Sequence, residues 1–230
     1  MESHEIRVIA RIRSDFREKF GIPRQSGLVE ALRATVVFEP EYRNPDALRG
    51  IEGFSHLWLI WQFSEAVRED WSPTVRPPRL GGNTRLGVFA TRSPFRPNAI
   101  GLSCVRLEGV RQDHTLGTVL DVSGADLLDG TPIYDIKPYL PYADCKPEAV
   151  GGFAAAAPKS GLRVECPDEL LSKVPPEKRE ALLGVLAQDP RPSYQDDPQR
   201  VYGMAFAGLD VRFTVDGDRL TVREISHHKE

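Results

Sequence analysis

The sequence predicts a mainly β protein: an antiparallel barrel or sandwich followed by a small α+β lobe. Three observations predict it. Apolar residues recur with period two in many short runs, turn residues punctuate those runs, and only one segment carries a clear helical pattern. The composition divides the chain into a β domain over 1–145, a linker over 146–159 and a helix-plus-hairpin lobe over 160–230. With 230 residues, 40% hydrophobic and 27% charged, the chain has the balance of an ordinary soluble globular protein.

The first strand is expected in EIRVIARIR (5–13), where Ile6, Val8, Ala10 and Ile12 alternate with polar positions. KFGIPRQSG reads as a loop, and LVEALRATVVFEP as a second strand rich in β-branched residues. NPDALRGIEG reads as a short helical turn, with Asn44 as its cap ahead of Pro45. FSHLWLIWQF (54–63) has strand length and no capping pattern, with Trp58 and Trp61 read as core packing. A long loop, WSPTVRPPRLGGNTR, follows, and LGVFA and IGLSCVRLEGVR are strands on either side of a proline-rich segment. HTLGTVLDV completes a hairpin after Gln112 and Asp113, and an Asp-Gly turn leads into a strand at Pro132–Ile136. AVGGFAAAAPKSG, rich in small residues, reads as a linker or a lining loop. PPEKREALLGVLAQDP is the helix, with Leu182, Leu183, Val185 and Leu186 near one side, and the chain closes on two alternating strands around VDGDR.

Several functional classes are disfavoured. No apolar run approaches the roughly 20 residues that span a bilayer. MESHEIRVIARIR lacks a basic flank before an uncharged apolar core, so it does not read as a secretory signal, and the cytoplasm is the expected compartment. Cys104, Cys145 and Cys166 are far apart, and the five histidines lack metal-binding spacing, so no protein-bound metal is expected. Neither GxGxxG nor GxxxxGK[ST] occurs, which removes Rossmann and P-loop readings.

Charge is concentrated instead in one place. Trp71 to Leu107 holds no Asp or Glu but six arginines (Arg76, Arg79, Arg85, Arg92, Arg96 and Arg106), a local +6 in a chain of net charge −3. Guanidinium groups suit bidentate contact with phosphate or carboxylate and stacking on flat rings, so an anionic partner is expected. Arg92 and Arg96 flank Pro94, with Pro97 next, in a segment too proline-rich for a helix. Arg92 therefore reads as a preset pocket wall, and the RPPR arginines as phosphate contacts. DLLDGTPIYDIKPY gathers Asp126, Asp129, Asp135 and Lys137 beside Thr131 and Tyr134. These carboxylates can accept from a ribose or an amine, and the amides near Gly130 can donate.

EKFGIPRQ, RGIEGFSHLW, PTVRPPRLGGN, GVFATRSPFRPNAIGLS and DLLDGTPIYDIKPYLPYAD, in this order, resemble the TrmO family, also called TsaA-like or YaeB-like. The match spans about 6–145, and QDDPQRVYGMAF with its VDGD hairpin resembles the family's bacterial C-terminal lobe. The resemblance implies a single antiparallel β-barrel and S-adenosylmethionine-dependent methylation of tRNA. The target would be N6 of threonylcarbamoyladenosine (t6A) at position 37, 3′ of the anticodon, in threonine tRNA. It also implies a homodimer with the cofactor near the subunit contact. Carried onto this sequence, the cofactor pocket would comprise Pro23, Arg24, Gln25, Phe63, Ser64, Arg92 and Ser93, with Leu102, Ser103 and Asp126, Leu127, Leu128, Asp129, Gly130 and Thr131 around the adenine. Arg76, Arg79, Arg85 and Arg96 would face tRNA, and Asp129 and Tyr134 would be the catalytic candidates. The family often carries His where this chain has Ser64.

Two rivals stand beside this reading. One is a non-catalytic RNA-binding β-barrel, which would present aromatic platforms on an exposed strand face. The other is a hydrolase using His56, Asp121 and Ser103 or Cys104, which lacks a GxSxG elbow.

Overall fold

Alternation of buried and exposed side chains sets in at Ala10 rather than at the amino terminus. The computed structural model describes residues 2–67, 70–80, 83–155, 161–192, 195 and 197–228. β1 (Ala10–Arg13) buries Ala10 and Ile12, whereas Ile6 is 57% exposed with no core to enter, which shortens the expected strand. β2 (Arg33–Phe38) likewise starts late. Val29 and Leu32, expected within it, turn into a different core. β3 (His56–Gln62) buries Leu57, Leu59 and Trp61 at period two. Between β2 and β3, Pro45–Leu48 forms a 3₁₀ turn whose Asn44 side chain accepts from the Asp46 amide at 3.0 Å.

β4 (Thr74–Val75) and β5 (Leu86–Gly87) form a small ladder of their own. The expected LGVFA strand stops at Gly87, because Val88–Ala90 winds into a 3₁₀ turn that buries Val88. β6 (Ile100–Asp113), β7 (Gly117–Ser123) and β8 (Pro132–Pro138) complete the first sheet, in the order β1-β2-β7-β6-β3-β8. β8 pairs with both β3 and β1, so the six strands close on themselves as a barrel. Trp61 pairs with Ile133 and Ile60 with Asp135, which leaves Tyr134 as the extra residue of a bulge.

After α1 (Pro141–Asp144), the chain adds β9 (Arg163–Glu165), α2 (Asp168–Leu171) and α3 (Pro176–Ala187). Three closing strands follow where two were expected: β10 (Tyr202–Phe206), β11 (Leu209–Asp216) and β12 (Arg219–His227). The extra strand arises because the chain reverses at Gly208 (φ 76°) as well as at Gly217 (φ 57°). β9 joins β12 in parallel, giving a four-stranded sheet against which α2 and α3 lie. α3 has Pro176 in its first turn and buries Ala181, Leu182, Val185 and Leu186, with Leu183 only half-buried.

The barrel and this sheet have separate cores, and the connection between β1 and β2 belongs to the second. Phe16, Val29 and Leu32 pack with Leu182, Phe206, Phe213 and Leu220. Phe16 meets Phe206 edge-on at 5.5 Å, and Asp15 accepts from Lys178 Nζ at 2.6 Å in a largely buried ion pair. Helix and connection approach so closely that a Cβ on Gly184 would lie 2.7 Å from Val29. Phe16→Ala is expected to cost roughly 3–5 kcal/mol in urea denaturation. A loss below about 1 kcal/mol would show that the connection does not contribute to that core.

Candidate functional site

Register decides which side chains meet at one end of the barrel. Trp61 lies opposite Gly101, and Leu59 opposite Ser103, so Trp61 and Ser103 both point inward. Gly101 is required here because a Cβ would come within 2.4 Å of the indole. Trp61 Nε1 donates to Ser103 Oγ at 2.9 Å, and Ser103 Oγ donates to Asp126 Oδ1 at 2.6 Å. The direction follows from the chemistry: an indole N–H only donates, so the serine hydroxyl accepts there and sends its own proton to the carboxylate. Phe63 closes this corner with its ring 4.3 Å from that of Trp61.

Asp126 lies in the loop after β7. Burial pushes its carboxyl above the usual carboxylate range, against the opposing pull of Ser103, backbone amides including that of Ser26, and the Arg92 charge. Ser26 also accepts from the Cys104 amide at 3.1 Å, and the Gly27 amide donates to Gly124 O at 2.8 Å. These bonds fasten the 23–27 segment over the barrel end. Pro23 is buried there, the Gln25 amide donates to Arg24 O, and Gln25 Oε1 accepts from Arg92 Nη1. Thus Arg24, Gln25, Phe63, Arg92, Ser103 and Asp126 share one connected cluster. The arrangement suits a ligand that carries both cationic and anionic groups beside a flat ring.

Other expected positions have different surroundings. Ser93 Oγ accepts from the Phe95 amide at 3.2 Å, and Arg96 Nη1 donates to Thr91 O at 3.2 Å. Both brace the proline segment, and Arg96 is half-buried rather than displayed. Ser64 is exposed just past β3, and Leu102 faces outward at 51% exposure. Leu127 and Thr131 are buried and Leu128 half-buried; Thr131 Oγ1 donates to Leu128 O at 2.7 Å. Asp129 is exposed, with Oδ1 accepting from the Ser14 amide at 2.9 Å, and Arg11 Nη1 donates to Gly130 O at 3.2 Å. Gly130 has φ 76°, which the turn into β8 requires. Burial raises the Tyr134 phenol above its ordinary value. Arg76 and Arg85 are exposed, Arg85 reaching Thr74 Oγ1 at 3.3 Å, while the Arg79 side chain and Gly81-Gly82 lie outside the described residues.

The expected hydrolase triad does not form among the described residues. Ser55 Oγ and His56 Nδ1 are 2.9 Å apart, Asp121 is engaged by Arg111 and Thr35, and Ser103 serves Trp61 and Asp126. Trp58, expected in the core, is half-buried on the outer face, where its Nε1 donates to Asp144 at 3.0 Å.

Two concavities lie away from the cluster. One, of about 690 Å³, is an open surface hollow beside Arg7 and Tyr42. The other, of about 420 Å³, includes Arg13, Arg33, Glu108, Asp121 and Lys178. In the latter, charges already engage one another, as Arg33 with Glu108 and Lys178 with Asp15. The cluster at Asp126 is the better candidate because its half-buried carboxyl is held by neutral donors beside one guanidinium, and so can still respond to a ligand. Sequence reasoning missed Trp61 and Ser26 as parts of it. A buried tryptophan needs a partner for its N–H, which is the signal that could have pointed from Trp61 to Ser103.

A β-barrel with a polar cluster and the Arg92 guanidinium at one rim defines a barrel with a candidate small-ligand site and an appended lobe. The chain belongs to the tRNA-methyltransferase O family: that family's N-terminal domain matches residues 11–145, and the TrmO C-terminal domain matches 160–228. A tRNA (adenine(37)-N6)-methyltransferase of Escherichia coli (strain K12) is 43% identical over 223 residues, 94% of each chain. A putative S-adenosylmethionine-dependent methyltransferase, RcsF, of Pseudomonas aeruginosa is 45% identical over 219 residues, 92% of each. A crystal structure of TrmO from P. aeruginosa aligns over 99% of each chain at 38% identity with a TM-score of 0.81.

The raised carboxyl has a consequence for stability. The folded chain holds the Asp126 proton more tightly than the unfolded chain, so this contribution is greatest below about pH 4 and fades as pH rises through the folded-state value. Asp126→Asn cannot ionise. Its stability relative to the parent, from urea denaturation, is expected to improve as pH rises above about 4 and to level off once the folded-state carboxyl has ionised. A change in the parent's favour over that range would mean that the carboxylate is held as a stabilised anion.

Proposed function

We propose that the Asp126–Arg92 cluster binds S-adenosylmethionine and that the chain methylates N6 of t6A at position 37, 3′ of the anticodon, in threonine tRNA. The observation that carries this reading is the Arg92–Gln25 pairing beside the Asp126–Ser103–Trp61 chain, which runs from the half-buried carboxyl into the barrel. The names of its relatives support it, since they describe methylation at adenine 37 and dependence on S-adenosylmethionine.

The residues present fit the cofactor. Arg92 is a guanidinium suited to a carboxylate, Asp126 accepts from an amine or a ribose hydroxyl, and the Trp61–Phe63 corner offers aromatic edges and faces. Pro23, Arg24 and Gln25 would form one wall of the pocket, and Ser64 and Ser93 its rim. Residues 126–131 would flank the adenine through the Asp126 carboxyl and main-chain carbonyls; the amides near Gly130, expected to be open donors, are already taken, Asp129 by Phe16 O, Gly130 by Ile12 O and Thr131 by Leu128 O. When bound, S-adenosylmethionine supplies a methyl group on a cationic sulfur, already electrophilic. The chain's contribution is then alignment and control of one proton.

N6 of t6A is conjugated to a carbonyl, and it becomes a good nucleophile only as its proton leaves. We assign the proton to the Asp129 carboxylate, which the Ser14 amide holds through one oxygen. Tyr134, raised by burial, stays protonated at neutral pH and serves as a hydrogen-bond donor rather than a base. Arg76, Arg79 and Arg85 supply the positive field toward tRNA phosphates, while Arg96, expected beside them, braces Thr91 O and stiffens the loop that carries Arg92. Outward-facing Ile100 and Leu102, with Phe95 on the adjoining segment, support a homodimer in which Leu102 reaches the cofactor near the subunit contact. Residues 1–145 would carry the chemistry, with 160–230 as an appended lobe joined by 146–159, of which 156–159 lie outside the described residues. We assign the work to the cytoplasm; among the described residues no helix is long and apolar enough to cross a membrane.

Labelled methyl transfer tests the reading. Threonine tRNA carrying t6A is expected to accept methyl groups, and the same tRNA without the modification is not. Equal transfer to both would contradict the substrate, and no transfer to either would favour a non-catalytic RNA-binding barrel. Arg92→Ala is expected to weaken cofactor binding about tenfold or more in calorimetry with its melting temperature retained. An unchanged affinity would remove Arg92 from the pocket.

A further inference from the structure

Beyond the cluster at Asp126, an aromatic pair stands out on the arginine-rich segment. Trp71 is 51% exposed and Phe89 72% exposed, with ring centroids 6.1 Å apart and planes inclined by 32°. Local backbone structure holds them there. Thr74 pairs with Gly87 and Val75 with Leu86, and the Val88 amide donates to Pro73 O at 2.9 Å. Ser72 Oγ donates to Thr74 O at 2.8 Å, which pins the turn that follows Trp71. Val88 is buried, so the 3₁₀ turn that begins at it carries Phe89 outward. Two large rings facing water on a braced ladder are not core residues, and an exposed apolar patch of this kind marks a contact surface.

Resting on the reading that the substrate is tRNA, we infer that Trp71 and Phe89 form a stacking platform for an unpaired base of that RNA. The setting selects the occupant. Arg76, Arg85 and Arg92 are exposed on the same segment, and Trp71 to Leu107 contains no acid. A second copy of this chain related by a two-fold axis would bring arginine against arginine across such a patch. An RNA loop brings phosphates for the guanidinium groups and flat faces for the rings, and unpaired bases stack on aromatic side chains with little regard to sequence. Because the two rings already touch, the base stacks on the open face of Phe89 rather than between them.

Equilibrium binding of a fluorescently labelled anticodon stem-loop carrying t6A, at several salt concentrations, tests the platform. Phe89→Ala and Trp71→Ala are each expected to weaken binding about tenfold, while Phe89→Tyr retains it. The dependence on salt is expected to be unchanged, since stacking releases no counterions, and so is cofactor affinity in calorimetry. Melting temperatures report that the variants are folded. Parent-like affinity in folded Phe89→Ala and Trp71→Ala would overturn the platform alone and leave the substrate reading intact. Altered sedimentation of the two alanine variants would reassign the pair to a subunit contact and overturn it as well. Failure of the parent chain to bind the RNA would remove the substrate reading and the platform together.

Discussion

Trp61 enters the barrel interior with a polar N–H that needs a partner, and the hydroxyl of Ser103 supplies it at 2.9 Å. Leaving such a group unpaired costs about 1–3 kcal/mol, so the serine is bound to that place by the tryptophan. Its own proton is then committed to Asp126, which draws a carboxyl into the barrel rim. The rest of the site follows from that carboxyl. The 23–27 segment, fastened by Ser26 and Gly27, brings Gln25 beside Arg92, and the guanidinium charge opposes part of the burial penalty. Gly101 makes the arrangement possible by leaving space for the indole. The site is therefore built from the register of β3 against β6, not from loops alone.

The connection between β1 and β2 serves both halves of the molecule. Its Phe16, Val29 and Leu32 complete the core of the C-terminal sheet, while its 23–27 portion covers the rim of the barrel. One stretch of backbone thus couples packing in the lobe to the position of Gln25. The sequence shows a glycine- and proline-bearing loop there; the structure packs its apolar residues into the C-terminal core and ties Ser26 and Gly27 to the barrel by hydrogen bonds.

Much of the architecture was legible in the sequence because it rests on period-two burial. β3, β6 and β7 show it, as does the helix with Leu182, Val185 and Leu186 buried. Errors arose where a residue's neighbour was not its neighbour in sequence. Val29 and Leu32 look like strand residues, but their apolar surface is taken up by α3 and the C-terminal sheet. Phe89 looks like the centre of a strand, but burial of Val88 turns the backbone after Gly87. Arg92 and Asp126 could be chosen from motifs, whereas the link through Ser103 to Trp61 needed the register. Arg96 illustrates the reverse: it is grouped with the displayed arginines by composition, yet its guanidinium braces Thr91 within its own loop.

A crystal structure of the chain soaked with S-adenosylmethionine tests this arrangement most directly. The ligand is expected within hydrogen-bonding reach of Asp126 and of Arg92 or Gln25, against the Trp61–Phe63 corner. Density for it beside Arg7 and Tyr42, or in the hollow of Arg33 and Lys178, with the rim cluster unchanged, would contradict the claim that the half-buried carboxyl and its guanidinium neighbour make the binding site.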